Sequence, residues 1–209
     1  MIRIENLCKQ YGSAVVLDHI SLTFEPGRIY GLTGRNGSGK TMFLKHLLGL
    51  VRPTSGRILY DGLELGKDME MPDSVGAIIE NPGFLPEYTG LYNLELLAMI
   101  RGRIGTKECR KAMKLTGLDP DSHKKVRAYS LGMKQRLGIA QALMEDPDML
   151  FLDEPLSGLD DEGVDDIRKI LLKEKERGKL ILIASHNKED IDILCNEVYR
   201  FNHGKVQPV

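Results

Sequence analysis

The octapeptide GRNGSGKT, residues 34–41, constrains this chain more than any other stretch. It fills the pattern GxxxxGK[ST] at every position. Glycines at 34, 37 and 39 let the backbone curl until successive N–H groups point at one anion. Such a loop works only where a buried strand feeds it and a helix leaves it. Both flanks are predicted: RIYGLT (28–33) as the strand, TMFLKHLLGL (41–50) as the helix, closed by Pro53. A helix starting at Lys40 turns the positive end of its dipole to the same anion. The phosphate ligands expected are Gly34, Asn36, Gly37, Ser38, Gly39, Lys40 and Thr41, with Met42 in the first helical turn. Lys40 is expected on the terminal phosphates and the Thr41 hydroxyl on a magnesium ion.

A polyphosphate site needs a place for its cation, and LFLDEP (150–155) supplies one. Asp153 emerges from a buried apolar strand, where a carboxylate is costly unless a cation or donor satisfies it. A magnesium-bound water or the Thr41 hydroxyl would do so. Glu154 follows directly and is placed to polarise an attacking water.

The remaining elements alternate. IRIENL (2–7), VVLDH (15–19) and ISLTF (20–24) read as an antiparallel N-terminal sheet. GRILYDG (56–62), VGAIIE (75–80), DMLFLDEP (148–155) and KLILIASH (179–186) read as strands, several of them continuously apolar. That pattern argues for a parallel α/β core. LYNLELLAMIRGR (91–103) and TKECRKAMKLTGL (106–118) are helical and form a small lobe inserted between strands, from about Pro86 to Val126; SLGMKQRLGIAQALM (130–144) is another helix. EGVDDIRKILLKEKERG (162–178) is a further helix, and VYRFNHGKV (198–206) a closing hairpin.

Bulk properties exclude more than they assert. The 209 residues carry 29 basic and 30 acidic side chains, so net charge gives no argument for a nucleic-acid or anionic-membrane partner. Cys8, Cys109 and Cys195 form no CxxC pair and read as reduced thiols of a cytosolic protein. The apolar stretch LILIA (180–184) is far short of the ~18–20 residues a bilayer requires. The N-terminus lacks the build of a signal peptide. A soluble chain, or one held at a membrane by a partner, is expected.

With the phosphate loop and the acidic strand in place, YSLGMKQRLGIAQAL (129–143) decides the family resemblance. It is similar to the signature of the nucleotide-binding subunits of ATP-binding cassette transporters, usually written LSGGQ and followed by a basic-Gln-Arg run. Ser130 and Gly132 fit; Leu131 replaces a glycine and Met133 the glutamine. A serine and main-chain N–H groups at a helix start still make a second anion site. The resemblance covers the chain from its first strand to its last hairpin. It implies a P-loop NTPase (RecA-like) α/β core with an N-terminal antiparallel β subdomain and an inserted α-helical subdomain. The implied division is 1–84 with 145–209 for core and β subdomain, and 85–144 for the helical subdomain including the signature helix.

The resemblance also implies roles. ATP and Mg2+ are the cofactors. Tyr11 stands where an aromatic stacks on adenine, and a π-face suits a flat base. SGLD (157–160) resembles the loop passing between two sites of a dimer, with Asp160 as its polar end. His186 resembles the switch histidine that senses the γ-phosphate; Lys40, Glu154 and His186 are then the catalytic set. Thr41, Glu80 and Asp153 are the implied magnesium ligands. His19, His46, His123 and His203 are incidental.

Most of the family carries Gln where this chain has Glu80. A carboxylate is the better ligand for a hard cation. GAIIENPGFLPEYTGLYNL (76–94) with SLGMKQR (130–136) looks like the ATPase subunits of bacitracin-resistance and lantibiotic-immunity exporters. The expectation is a transport-coupled ATPase that pairs head to tail with a second copy on ATP and drives a separate integral membrane permease. It would sit on the inner face of the membrane through that permease, with Glu80 coupling magnesium to movement of the helical lobe. Phe84, Leu85, Tyr88 and Leu91 would suit a permease-docking groove or the core of the lobe, and both stay open. Many such motors continue with a C-terminal extension; this sequence ends at Val209, so weak dimerisation without ATP is expected. An importer motor remains open. A non-transport ATPase acting on ribosomes or DNA would typically show two cassettes or a long coiled-coil insertion. A P-loop kinase or GTPase would leave the Ser130 and His186 motifs as accidents.

Overall fold

A computed structural model describes residues 1–80 and 82–209 of the chain. The Asn-Pro-Gly loop expected after the strand at 75–80 includes Asn81, which lies outside the described residues.

Strands β1 (Ile2–Tyr11) and β2 (Ala14–Phe24) pair antiparallel around a tight turn in which Gly12 takes φ 58°. The sequence predicts two strands within 15–24, but β2 runs through as one. Its register against β1 slips on either side of Leu7–Ile20, and bulged Asn6 and His19 both sit at φ 49°. Bulges of this kind bend a strand without ending it, which reconciles a broken alternation with unbroken pairing. β4 (Ser55–Tyr60) and β5 (Leu63–Glu64) complete a four-stranded sheet in the order β2-β1-β4-β5.

The second sheet holds β3 (Ile29–Thr33), β6 (Val75–Ile78), β7 (Met149–Asp153), β8 (Leu180–Ala184), β9 (Glu197–Asn202) and β10 (Lys205–Pro208). Its order is β10-β9-β3-β8-β7-β6. All pairings are parallel except the closing hairpin of β9 and β10. The continuous apolar run of β8 is explained by burial on both faces. Leu180, Leu182 and Ala184 enter the core between the two sheets, beside Phe24, Phe43, Phe151 and Phe201. Ile181 and Ile183 enter a second core with Ile29, Leu150, Leu152 and Ile167. The alternation has the strand period of two.

Helix α1 (Lys40–Leu47) follows the phosphate loop; α2 (Gly90–Arg101), α3 (Thr106–Leu115) and α4 (Leu131–Leu143) lie between β6 and β7. Helix α5 (Asp161–Glu176) precedes β8, and α6 (Lys188–Leu194) follows it. The sequence reading did not include α6; two turns long, it is too short for a clear apolar period, and Asn187 caps it by accepting from Glu189 N–H at 2.9 Å. Leu94, Cys109, Met113, Tyr129 and Leu137 form a third core within the lobe. Helix α4 serves two cores, because Leu137 and Ala140 face the lobe while Ile139 and Ala142 face the sheet. It lies hard against β6: a Cβ on Gly76 would fall 1.9 Å from the Ala142 carbonyl. All three cysteines are free thiols. Among the described residues no helix is long and apolar enough to cross a membrane.

Candidate nucleotide site

The phosphate loop is wedged between β2 and the end of β9. Gly34 takes φ 141°, and a Cβ there would meet the Phe201 carbonyl at 2.4 Å and Ser38 Oγ at 2.7 Å. Gly39 takes φ 111°, with Val16 O and Leu17 Cδ2 each 3.0 Å from its missing Cβ. Any other residue at either position is both strained and obstructed. Ser38 Oγ is buried and has no hydrogen-bond partner among the described residues. A buried hydroxyl is nearly always paired, and a phosphate oxygen has the right chemistry to pair it. The buried Lys40 ammonium donates to Gly34 O at 2.7 Å and Arg35 O at 3.4 Å. With three donors, it retains one for a further acceptor. Asn36 and Gly37 form the exposed tip. The Met42 side chain packs into the core between the sheets, so it offers a ligand only its main-chain N–H in the first turn. His46, behind the loop on α1, contacts Met42 O through Nδ1 at 2.7 Å, and burial pushes its pKa down. It is a neutral structural imidazole.

Three strand ends meet this loop. Thr41 Oγ1 donates to Asp153 Oδ2 at 2.6 Å, which satisfies the buried carboxylate at the end of β7. Glu154 then takes φ 49°, held by its N–H on Ala184 O at 2.8 Å. Its Oε1 lies 2.8 Å from His186 Nδ1. An ionised carboxylate only accepts, so Nδ1 carries the proton between them. The C-terminal ends of parallel strands are where open α/β sheets bind ligands. Among the described residues no group of three or more His, Cys, Asp or Glu could hold a metal unaided. That fits magnesium, which takes one or two protein groups and completes its shell with phosphates and water. The Thr41–Asp153 pair has that composition.

Glu80 is exposed, sits at φ 58°, and ion-pairs with Lys45 Nζ of α1 at 2.7 Å. It makes no hydrogen bond to Thr41 or Asp153. Lys45 had drawn no notice in the sequence, because nothing in spacing links residues 35 apart.

A second group assembles apart from the first. Ser130 caps α4, accepting from Met133 N–H at 3.1 Å. Asp160 caps α5, accepting from Gly163 N–H at 3.1 Å. Gly132 faces the Gly158 carbonyl, 3.1 Å from its missing Cβ, so the signature start and the SGLD loop touch within one chain. Among the described residues no hydrogen bond or ion pair joins Ser130 or Asp160 to the phosphate loop. Tyr11 is half exposed at the end of β1, with the Lys9 ammonium 4.7 Å from its ring centre. Two side chains of α4 were passed over in the sequence. Gln135 donates to the carbonyls of Glu154 at 3.2 Å and Pro155 at 2.9 Å. Arg136 donates to Thr116 O at 2.9 Å and lies 3.9 Å from both Asp160 and Asp166. The signal available was two large polar residues set among the apolar positions of one helix.

A cleft of about 420 Å³ lies between sheet and lobe, lined by Ile79, Pro82, Phe84, Leu85, Leu97 and Gln141 among others. Phe84 and Leu91 pack on the lobe core, whereas Leu85 and Tyr88 are exposed. The lobe-core reading thus holds for Phe84 and Leu91, while Leu85 and Tyr88 lie at the surface.

The family profile described as ABC transporter matches residues 17–157. An uncharacterised ABC transporter ATP-binding protein of Bacillus subtilis (strain 168), YybJ, is 48% identical over 207 residues, spanning 99% of this chain and 95% of that one. The bacitracin transport ATP-binding protein BcrA of Enterococcus faecalis is 42% identical over 206 residues, spanning 98% of this chain and 67% of that one. Among solved structures, the dimeric structure of MJ0796, a bacterial ABC transporter cassette, superposes with a TM-score of 0.89 at 24% identity, covering 100% of this chain and 98% of that one. That last likeness bears on the fold alone.

Proposed function

The chain belongs to the ABC transporter family as an ATP-hydrolysing subunit, and from that premise we propose that it drives a bacterial exporter of an antimicrobial peptide or drug. The strongest support is the meeting of the Lys40 loop, the Thr41–Asp153 pair and the Glu154–His186 pair at one sheet edge. The likeness to a bacitracin transport ATP-binding protein supports the cargo class.

Gly34, Asn36, Gly37, Gly39 and Met42 offer main-chain N–H groups to the phosphates of ATP, Ser38 offers its hydroxyl, its N–H being taken by Arg35 O, and Tyr11 offers its ring to adenine. Lys40 binds the terminal phosphates. Thr41 and Asp153 would hold magnesium, with Glu80 as a further ligand once released from Lys45, and the ion would neutralise phosphate charge. Glu154 Oε1 is engaged by His186, which leaves Oε2 to orient the attacking water and take its proton. With Nδ1 donating to Glu154, His186 can donate to a γ-phosphate through Nε2 only as the imidazolium.

Ser130, Gly132 and Asp160, which no hydrogen bond or ion pair among the described residues joins to the phosphate loop, serve the nucleotide held by a second copy, head to tail. Residues 85–144 move as a helical unit against 1–84 and 145–209. The permease docks in the cleft beside Leu85 and Tyr88, and holds the subunit at the inner face of the membrane. Gentle solubilisation of native membranes and capture through a tag tests this. The expected product is a multi-spanning membrane protein, lost on Leu85→Glu. Recovery only with ribosomes, nucleic acid or soluble proteins would overturn the exporter assignment.

A further inference from the structure

Glu154 holds a backbone conformation, φ 49°, that L-residues other than Asn and Asp rarely adopt. Such strain persists only where the surroundings over-determine it. Ala184 O takes its N–H, and Ser157 N–H at 3.2 Å reaches its carbonyl. The remaining restraint comes from outside the strand ends. Gln135, itself 8% exposed, directs both hydrogens of its side-chain amide at the carbonyls of Glu154 and Pro155. Two acceptors on one side require that the NH2 and not the oxygen of the amide faces them. Gln135 lies on α4, the helix that Ser130 caps and that packs on β6 at Gly76. Movement of that helix is therefore transmitted to the peptide carrying the proposed general base.

We propose that Gln135 is a positioning residue for hydrolysis, fixing the Glu154 carboxylate relative to the water and tying its placement to that of the signature helix. The inference rests on Glu154 acting as the base. A misplacement of about 1 Å at a reacting group costs on the order of a hundredfold in rate, so loss of two hydrogen bonds here is expected to be costly to turnover. Among the described residues Gln135 makes no hydrogen bond to a proposed ATP-binding side chain.

The test is Gln135→Met, near in volume and without donors, measured beside wild type and Glu154→Gln. The expected result is a kcat lowered by about tenfold or more, an unchanged KM for ATP, and purified protein that retains ATP where wild type retains ADP. Gln135→Asn keeps the amide but shortens its reach, and carries the same expectation should the methionine variant not fold. A folded variant with wild-type kcat would overturn the inference, as would kcat and KM shifting together with a loss of thermal stability. Failure of the underlying assignment looks different: Glu154→Gln would then turn over ATP like wild type.

Discussion

Two glutamates of this chain, Glu80 and Glu154, stand in left-handed backbone, where a side chain costs on the order of 1 kcal/mol. Both lie at the end of a core strand, beside the phosphate loop's helix or its cation site. In Glu154 the geometry aims one oxygen at His186 and leaves the other without a hydrogen bond among the described residues. In Glu80 it aims the carboxylate at Lys45. An exposed pair of that kind contributes little to stability, about 0–1 kcal/mol. We propose that it is a weak parking place from which the carboxylate leaves for magnesium. Glu80→Gln is therefore expected to raise the magnesium concentration for half-maximal ATPase activity several-fold, read by a magnesium titration at saturating ATP. Unchanged magnesium dependence together with unchanged turnover would count against the coupling role. At this scale the Thr41–Asp153 contact was legible in advance, because a carboxylate ending a buried strand needs a donor beside it. Those of Lys45 and Gln135 were not, because their partners lie 35 and 19 residues away and only the fold brings them close.

The elements follow from periodicity wherever one face or both are buried. β8 could be read from five apolar residues in a row, and α5 from its apolar stripe. The bulged β2 and the short α6 could not, since a bulge breaks alternation and two turns hold too few apolar positions. Helix α4 is the element on which the rest turns, joining sheet core to lobe core. Its far end is fixed electrostatically. Asp146, at φ 50° just beyond α4, accepts from Arg177 at 2.7 Å and from Lys179 at 2.5 Å. The Arg177 hydrogen bond first, then that of Lys179, lowers its pKa from 3.8 to about 2. A carboxyl whose folded pKa is depressed adds stability above its unfolded pKa and loses it as pH falls. Asp146→Asn, which tolerates the same backbone, is expected to cost about 1 kcal/mol at neutral pH, the carboxylate being largely exposed. The gap between variant and wild type should narrow as pH falls from about 5 towards 3. Urea unfolding across that range measures it; a gap that stays constant would remove the charge as its cause.

At the scale of the whole molecule the site is divided. The phosphate loop, Asp153, Glu154 and His186 occupy one cluster, while Ser130, Gly132 and Asp160 occupy another with no bond to it among the described residues. We propose that one chain offers half of each of two sites, which a head-to-tail pair would complete. The sequence carried both motif sets but no sign of how far apart they lie, because topology and not spacing decides it. Closure of two copies on ATP is the central claim. It is tested most directly by light scattering of Glu154→Gln in solution with magnesium and ATP. The expected result is a particle of twice the 23.4 kDa chain, reverting to one chain when ADP replaces ATP. A variant that binds magnesium-ATP and keeps the mass of a single chain would contradict closure by this subunit alone.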